Sequence, residues 1–298
     1  MLKIPGSQKA ENVGQTVGFA QFLEKDSIMI IDFHTHIFPD KMAQATVDFL
    51  KGQARDNGYL IENYADATLS GLVDAMKKSG VDKSVVLPIA TKIEHFESMN
   101  KFAVKVNETE NLISFGAIHP MDENYKDRLK QIKDMGLKGV KLHPYFQNTA
   151  IDSDEFIRVV DEAVKNDLIV SIHAGLDSGF KTVMAEPKTT VRLVKSVDCS
   201  KVILAHMGGC ALWDDVEEYL VGENVLLDTS YCLPVIEDKK QFERIVKNHG
   251  SDKILFGSDS PWADAGKDIE VTKNLDFSEE EKQNILCENA RKLLKLGD

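Results

Sequence analysis

The sequence predicts an α/β protein folded as a single (β/α)8 barrel of the TIM type, with its catalytic site at the C-terminal ends of the strands. Three observations predict it. Eight short apolar runs recur along the chain, amphipathic segments long enough for crossover helices separate them, and most of the runs end on a histidine, lysine or aspartate. The length of 298 residues admits two ordinary domains or one such barrel.

The runs cover residues 28–33, 84–87, 112–118, 139–142, 168–172, 201–205, 224–227 and 253–256. Each has little internal polar alternation, as parallel strands covered on both faces require, and parallel strands need right-handed crossovers. Segments with helical spacing lie between them at 68–78, 95–109, 124–135, 154–165, 189–197, 211–220 and 238–247. In the segment 154–165, Phe156, Val160, Ala163 and Val164 fall at i, i+4, i+7 and i+8, while Asp161, Glu162 and Lys165 fall elsewhere. Met135-Gly136 and Asn166-Asp167 stand where two of these helices would turn into the next strand. An open doubly wound sheet is the alternative. A phosphate-binding fingerprint would favour it, and neither GxGxxG nor GxxxxGK[ST] occurs.

Domain organisation is read as an N-terminal extension over 1–28 followed by the barrel over 29–298, without internal repeat, low-complexity tract or linker. The stretch 40–67 is longer than a simple loop and is expected to form a helical insertion over the barrel mouth. Lys and Arg number 36 against 48 Asp and Glu, a net charge of −12, which argues against binding a phosphate backbone. No run approaches the roughly 20 apolar residues of a membrane span, and the first residues lack a signal-peptide core, so a cytoplasmic protein without membrane or nucleic-acid partners is expected. Cys199, Cys210, Cys232 and Cys287 form no CxxC pair and are read as buried free thiols.

The chemistry starts from IIDFHTHIFPD. Residues i and i+2 on a strand share a face, so His34 and His36 can converge on one ion. Six of the eight runs end in a group able to bind metal or move protons: His34 and His36, His119, Lys141 with His143, His173, His206 and Asp259. Six of the chain's eight histidines lie at such ends, and the C-terminal rim of a barrel brings these ends together. His95, His249 and Trp213 sit within or at the ends of expected helices and are read as structural. Trp262 follows SDSP as a pocket-wall candidate; Phe38 is as readily a packing residue.

In order along the chain, DFHTHIFPD, GVKLHP, SIHAG, ILAHMGG and FGSDSPW, with FSEEEKQNILCENARKLLKL at the end, resemble the amidohydrolase superfamily. Within it they resemble the amidohydrolase-related branch that includes aminocarboxymuconate-semialdehyde decarboxylase. The resemblance spans residues 30–296. It implies a metal-bearing barrel in which His34, His36, His173 and Asp259 hold one divalent ion, with a position left for water. It also implies that His206 stands beside the ion, working with Asp259 as the catalytic pair. Zinc is the ion first expected, with manganese, iron or cobalt also suited to such N/O ligation. A dinuclear site bridged by a carboxylated Lys141 is the alternative implied by other members. In the mononuclear arrangement Lys141 or His143 would contact an anionic group, and His119 and Trp262 would line the substrate pocket.

The leading expectation for function is a metal-dependent hydrolase, in which metal-activated water attacks an amide, ester or lactone. The alternative is a non-oxidative decarboxylase or hydratase of a small unsaturated or aromatic carboxylic acid, served by the same ligands. A non-catalytic binding barrel would show degraded ligands, and here all are present. A TatD-type nuclease would want an acidic residue where Lys141 and His143 stand. The expected partner is a small molecule, possibly anionic, and a homodimer is compatible with the resemblance.

Overall fold

The computed structural model describes residues 29–297; the extension expected over 1–28 lies outside the described residues. Nine strand segments fill eight barrel positions: β1 (Ile31–Thr35), β2 (Lys83–Val86), β3 (Leu112–Ser114), β4 (Gly116–Ala117), β5 (Gly139–Leu142), β6 (Ile169–Ile172), β7 (Val202–Leu204), β8 (Leu226–Asp228) and β9 (Ile254–Leu255). Within the sets β1–β3 and β4–β9 each pairs in parallel with its chain neighbours. The run read from sequence as 112–118 is divided at Phe115 into β3 and β4, but the Phe115 N–H donates to the Val86 carbonyl at 2.9 Å and carries the ladder across the break. The last strand joins the first through Phe33 N–H to Phe256 C=O at 2.8 Å, Asp259 N–H to His34 C=O at 2.9 Å and His36 N–H to Ser260 C=O at 2.6 Å. These bonds close the barrel that the eight runs predicted.

The crossover helices are α2 (Leu69–Ser79), α3 (Phe96–Val106), α4 (Tyr125–Asp134), α5 (Asp154–Lys165), α6 (Pro187–Ser196), α7 (Trp213–Tyr219) and α8 (Lys239–His249), with α1 (Asp40–Asp56) inserted after β1. Local chemistry starts and stops them. Thr68 caps α2 by accepting from the Gly71 N–H, and Gly80 ends it in the left-handed region. Ser153 caps α5, whose Phe156, Val159, Val160 and Ala163 are buried while Asp154 and Lys165 are exposed.

The two ends of the barrel differ. After α9 (Ala265–Asn274), the chain ends in α10 (Glu279–Gln283), a π-turn segment (Asn284–Glu288) and α11 (Asn289–Leu293). This tail bonds to residues that precede strands: Lys138 Nζ reaches the Leu294 carbonyl, and Asn289 reaches the Ser251 carbonyl. Cys287, Ala290 and Leu294 complete an apolar cluster with Ile31, Phe33, Val85, Phe115, Ile203 and Leu255. The tail therefore seals the N-terminal end. The insertion lies at the opposite end, as expected: Tyr64 N–H donates to Pro261 C=O at 2.7 Å and the Asn57 amide to Ser178 C=O at 3.1 Å, both in loops that leave strand C-termini. No helix among the described residues is long and apolar enough to cross a membrane.

Candidate active site

At the open end, β1 delivers His34 and His36, and their second ring nitrogens decide what the first can do. His34 Nδ1 donates to Asp228 Oδ2 at 2.8 Å, and His36 Nδ1 donates to the Leu87 carbonyl at 3.0 Å. Both Nε2 atoms therefore carry lone pairs, and they stand 3.1 Å apart. Asp259 Oδ1 lies 3.4 Å from the first and 3.3 Å from the second. Three acceptor atoms at these separations repel each other unless a positive charge lies among them. Ligands about 2.1 Å from one divalent ion, at tetrahedral or octahedral angles, stand about 3.0–3.4 Å apart, so this trio fits such an ion.

A second opposition lies deeper. His206 Nδ1 donates to the Ser230 carbonyl at 2.8 Å, and His173 Nε2 donates to the Leu176 carbonyl at 3.2 Å, leaving His206 Nε2 and His173 Nδ1 facing each other at 3.0 Å. The expected four-ligand set is thus divided. His34, His36 and Asp259 share one centre, whereas His173 is turned towards His206. Lys141 Nζ lies 3.2 Å from His34 Nε2 and 3.4 Å from Ser171 Oγ.

Burial dominates the electrostatics. It pushes His34 down to about 4, with the Lys141 charge adding to the shift, and lowers Lys141 to about 8. It also holds His206 below its ordinary value and His143 and His173 well below theirs, so these imidazoles are neutral ligands or acceptors. For Asp228 and Asp259 burial acts the other way, and the facing groups win. The hydrogen bond from His34 Nδ1–H and the Lys141 charge keep Asp228 ionised, and Asp259 too is held below the ordinary carboxylate value.

Asp228 is the functional residue that sequence reasoning missed. Besides orienting His34, its Oδ1 accepts from the His206 N–H at 3.1 Å, from the Ser230 N–H at 3.0 Å and from the Ser230 hydroxyl. The signal was present: Asp228 directly follows the seventh run, one of the two whose strand-end residue was not considered. Trp213, read as structural, donates Nε1–H to the His206 carbonyl at 3.3 Å and so supports the loop from outside.

His143 is buried and stacks on His173 with ring centroids 4.2 Å apart, and its backbone N–H donates to Gln147 Oε1. Phe146, Tyr145 and Phe180 continue an aromatic wall from it, with His143 and Phe146 centroids 4.5 Å apart. His119 is half-buried, and its Nδ1 accepts from the Met121 N–H among Asp122, Glu94 and His95, so the structure does not bring it to the His34 group. Trp262 is half-buried, and its N–H holds the Asp259 carbonyl at 2.8 Å. His249 is structural, bonded to the Val225 carbonyl and to the Gly222 N–H. The cysteines are free, three of them buried.

Set beside known proteins, residues 31–296 match the Amidohydrolase family model Amidohydro_2. No curated protein matches the sequence significantly. Solved structures do resemble the fold. The 5-carboxyvanillate decarboxylase of Sphingomonas paucimobilis is 16% identical with a TM-score of 0.65, over 91% of this chain and 100% of that one. The enzyme of the same name from Novosphingobium aromaticivorans, complexed with manganese and 4-hydroxy-3-methoxy-5-nitrobenzoic acid, is 13% identical with a TM-score of 0.68, over 91% and 97%. The 2,6-dihydroxybenzoate decarboxylase of Rhizobium is 15% identical with a TM-score of 0.64, over 91% and 99%. Identities this low speak for the fold alone. They nevertheless correct the expectation that amide, ester or lactone hydrolysis leads, because all three neighbours are decarboxylases. That expectation erred because hydrolysis and decarboxylation use the same ligand residues, so strand-end motifs do not separate them.

Proposed function

The chain belongs to the Amidohydrolase family whose model spans it, and on that premise we propose that it is a metal-dependent, non-oxidative decarboxylase of a small planar carboxylic acid. The observation that carries the reading is the trio of His34 Nε2, His36 Nε2 and Asp259 Oδ1, unprotonated and within 3.4 Å of one another, in a fold shared with aromatic-acid decarboxylases. His34, His36 and Asp259 would hold one divalent ion, with His173 the nearest further imidazole through its contact with His206. Zinc is our first choice for N/O ligation without redox demand, and manganese, as in the Novosphingobium structure, is the next. Such an ion, when bound, would hold the substrate's carboxylate or hydroxyl and withdraw electron density from the carbon skeleton.

The remaining work falls to the chain's own groups. Lys141, as an ammonium, offsets the substrate's negative charge inside an otherwise neutral histidine cluster. The aromatic wall of Phe146, Tyr145 and Phe180 flanks a flat skeleton, and the insertion after β1 limits water. Decarboxylation breaks the bond to the carboxyl carbon and leaves its electron pair on the skeleton. Asp259 takes up a proton from a substrate hydroxyl or from water and delivers it to that carbon, so a C–H bond replaces the lost group and carbon dioxide departs. His206, whose Nε2 is unprotonated, assists the transfer.

The test is carbon dioxide release from hydroxybenzoates and unsaturated dicarboxylic acids by metal-replete protein. Release that depends on added manganese or zinc and is lost in a His34→Ala, His36→Ala variant is expected. No release from any acid of either class would refute the proposal.

A further inference from the structure

One half-buried carboxylate at the same mouth is used by nothing described so far. Asp177 lies in the loop after β6, its side chain 13% exposed, with Oδ2 3.4 Å from Nε2 of His143. Its Oδ1 accepts from the Gly179 N–H at 2.7 Å. Among the described residues no lysine or arginine pairs with it. The loop is pinned rather than slack: Gly175 N–H donates to Ala185 C=O at 2.8 Å, Leu176 N–H to Cys210 C=O at 3.0 Å, and the Tyr145 hydroxyl to Gly175 C=O at 2.5 Å. The same loop sets Phe180 into the aromatic wall, 5.2 Å from Phe146 and 5.4 Å from Tyr145, and its N–H returns to the Asp177 carbonyl. His143 is 5% exposed, and its Nδ1 is buried with no hydrogen-bond partner. A flat apolar wall thus carries one carboxylate oxygen and one imidazole whose hydrogen-bonding capacity is not used up.

An ionised carboxylate only accepts. Whatever meets Asp177 must therefore bring an O–H or N–H. A methyl ether at that point would bring no donor to Asp177 Oδ2, whose neighbour is His143 Nε2 at 3.4 Å, and a second carboxylate would be repelled. We infer that Asp177, with His143, is a specificity pair that reads a hydroxyl, or an equivalent hydrogen-bond donor, on the substrate's ring, away from the carboxyl group that is lost. The inference rests on the proposal that the substrate is a planar acid. A cation is the competing occupant, since His143, His173 and Asp177 each offer one ligand atom within 4.8 Å of the others. His173, however, donates Nε2–H to the Leu176 carbonyl and turns its one unprotonated nitrogen, Nδ1, to His206 Nε2 at 3.0 Å, which places that ligand in the His206 pair.

The experiment measures dissociation constants by calorimetry on manganese-loaded protein. The probes are hydroxybenzoates carrying the hydroxyl at each ring position, each beside its methyl ether. Parent protein should bind at least one hydroxybenzoate about 10- to 100-fold more tightly than its ether, the usual worth of a hydrogen bond to a buried charge. In Asp177→Asn the Gly179 N–H keeps the amide oxygen, so the pocket receives an NH2 donor and the preference should vanish or invert. Asp177→Ala should bring the ratio near one. Ether affinity and manganese content should be unchanged in both. An unchanged ratio in both variants, equal binding of acid and ether by the parent, or loss of bound manganese in Asp177→Ala would each overturn the inference. Because binding is read and not turnover, a decarboxylase proposal that fails for want of carbon dioxide remains distinguishable from a failure here.

Discussion

Replacing Asp228 by Asn should switch off the metal centre through a tautomer. Three donors converge on Asp228 Oδ1, the N–H groups of His206 and Ser230 and the Ser230 hydroxyl, while one, His34 Nδ1–H, meets Oδ2 at 2.8 Å. An asparagine must choose where its carbonyl oxygen goes. At about 1 kcal/mol for each satisfied bond, three donors outweigh one by roughly 2 kcal/mol, so the oxygen stays at the Oδ1 position and the NH2 faces His34. His34 then accepts at Nδ1 and carries its hydrogen on Nε2, where it blocks the face shared with His36 and Asp259. Loss of such a supporting partner typically costs 10- to 100-fold in metal affinity, or about 1.4–2.7 kcal/mol. The assay is competition for zinc or manganese against a chelator, with near-ultraviolet circular dichroism to confirm the fold. A well-folded Asp228→Asn that holds the ion as tightly as the parent would refute the reasoning.

Asp259→Asn should fold normally and lose turnover by roughly 100-fold or more, the scale of a general acid–base group, in the carbon dioxide assay; unaltered turnover would remove it from the mechanism. Asp268, buried in α9, is pushed up to about 7 from an ordinary 3.8, first by burial and then by Asp32 and Asp264, with Lys239 opposing and Asp259 adding. Its folded value lies above its unfolded one, so its contribution favours the folded state fully below about pH 4. That contribution is lost as pH rises through about 7, on the order of 4 kcal/mol at most. Urea unfolding at pH 5 and pH 8 should show the decline in the parent and a smaller one in Asp268→Asn; identical slopes would count against it. Gly175 has φ +84° and would place a Cβ 1.9 Å from the Cys210 backbone nitrogen, so Gly175→Ala should cost about 3 kcal/mol or more and lower Tm by several degrees.

What could be read in the sequence followed from local period. Strands covered on both faces are short continuous apolar runs, so all eight barrel positions were visible, and the rim rule then gathered His34, His36, Lys141, His143, His173, His206 and Asp259 from distant segments. The break at Phe115 was not visible, because a ladder interruption leaves no mark in an apolar run. Two kinds of information lay outside the pattern. Asp228 and His34 are 194 residues apart, and the tautomer that one imposes on the other exists only once the barrel closes. His173 occupies the expected strand end, yet the Leu176 carbonyl turns its Nδ1 towards His206, a consequence of loop geometry that strand position does not encode. Asp177 stands in a loop without periodicity, where no strand-end argument reaches it.

Asp228 also supports a run of left-handed backbone. His206, Met207 and Gly208 are consecutive residues in the left-handed region at φ 58°, 54° and 80°, and Tyr231 and Asp259 join them at 52° and 69°. For non-glycine residues each such conformation costs on the order of 1 kcal/mol, and it persists only where the surroundings hold it. At His206 the holding bonds are its N–H to Asp228 Oδ1 and its carbonyl to Trp213 Nε1; at Asp259 they are its N–H to the His34 carbonyl and its carbonyl to the Trp262 N–H. Asp228 therefore has two separable duties, one for each oxygen. Asn keeps the Oδ1 bonds and changes only the face towards His34, whereas Ala removes both, leaving the Ser230 N–H without its acceptor and the His206 N–H with only the Ser230 hydroxyl, 3.4 Å away. Asp228→Ala should accordingly match Asp228→Asn in lost metal affinity while unfolding more easily in metal-free urea titrations, by about 1–3 kcal/mol. Equal stability of the two variants would mean that the left-handed turn at His206 holds itself, and that Asp228 serves the metal face alone.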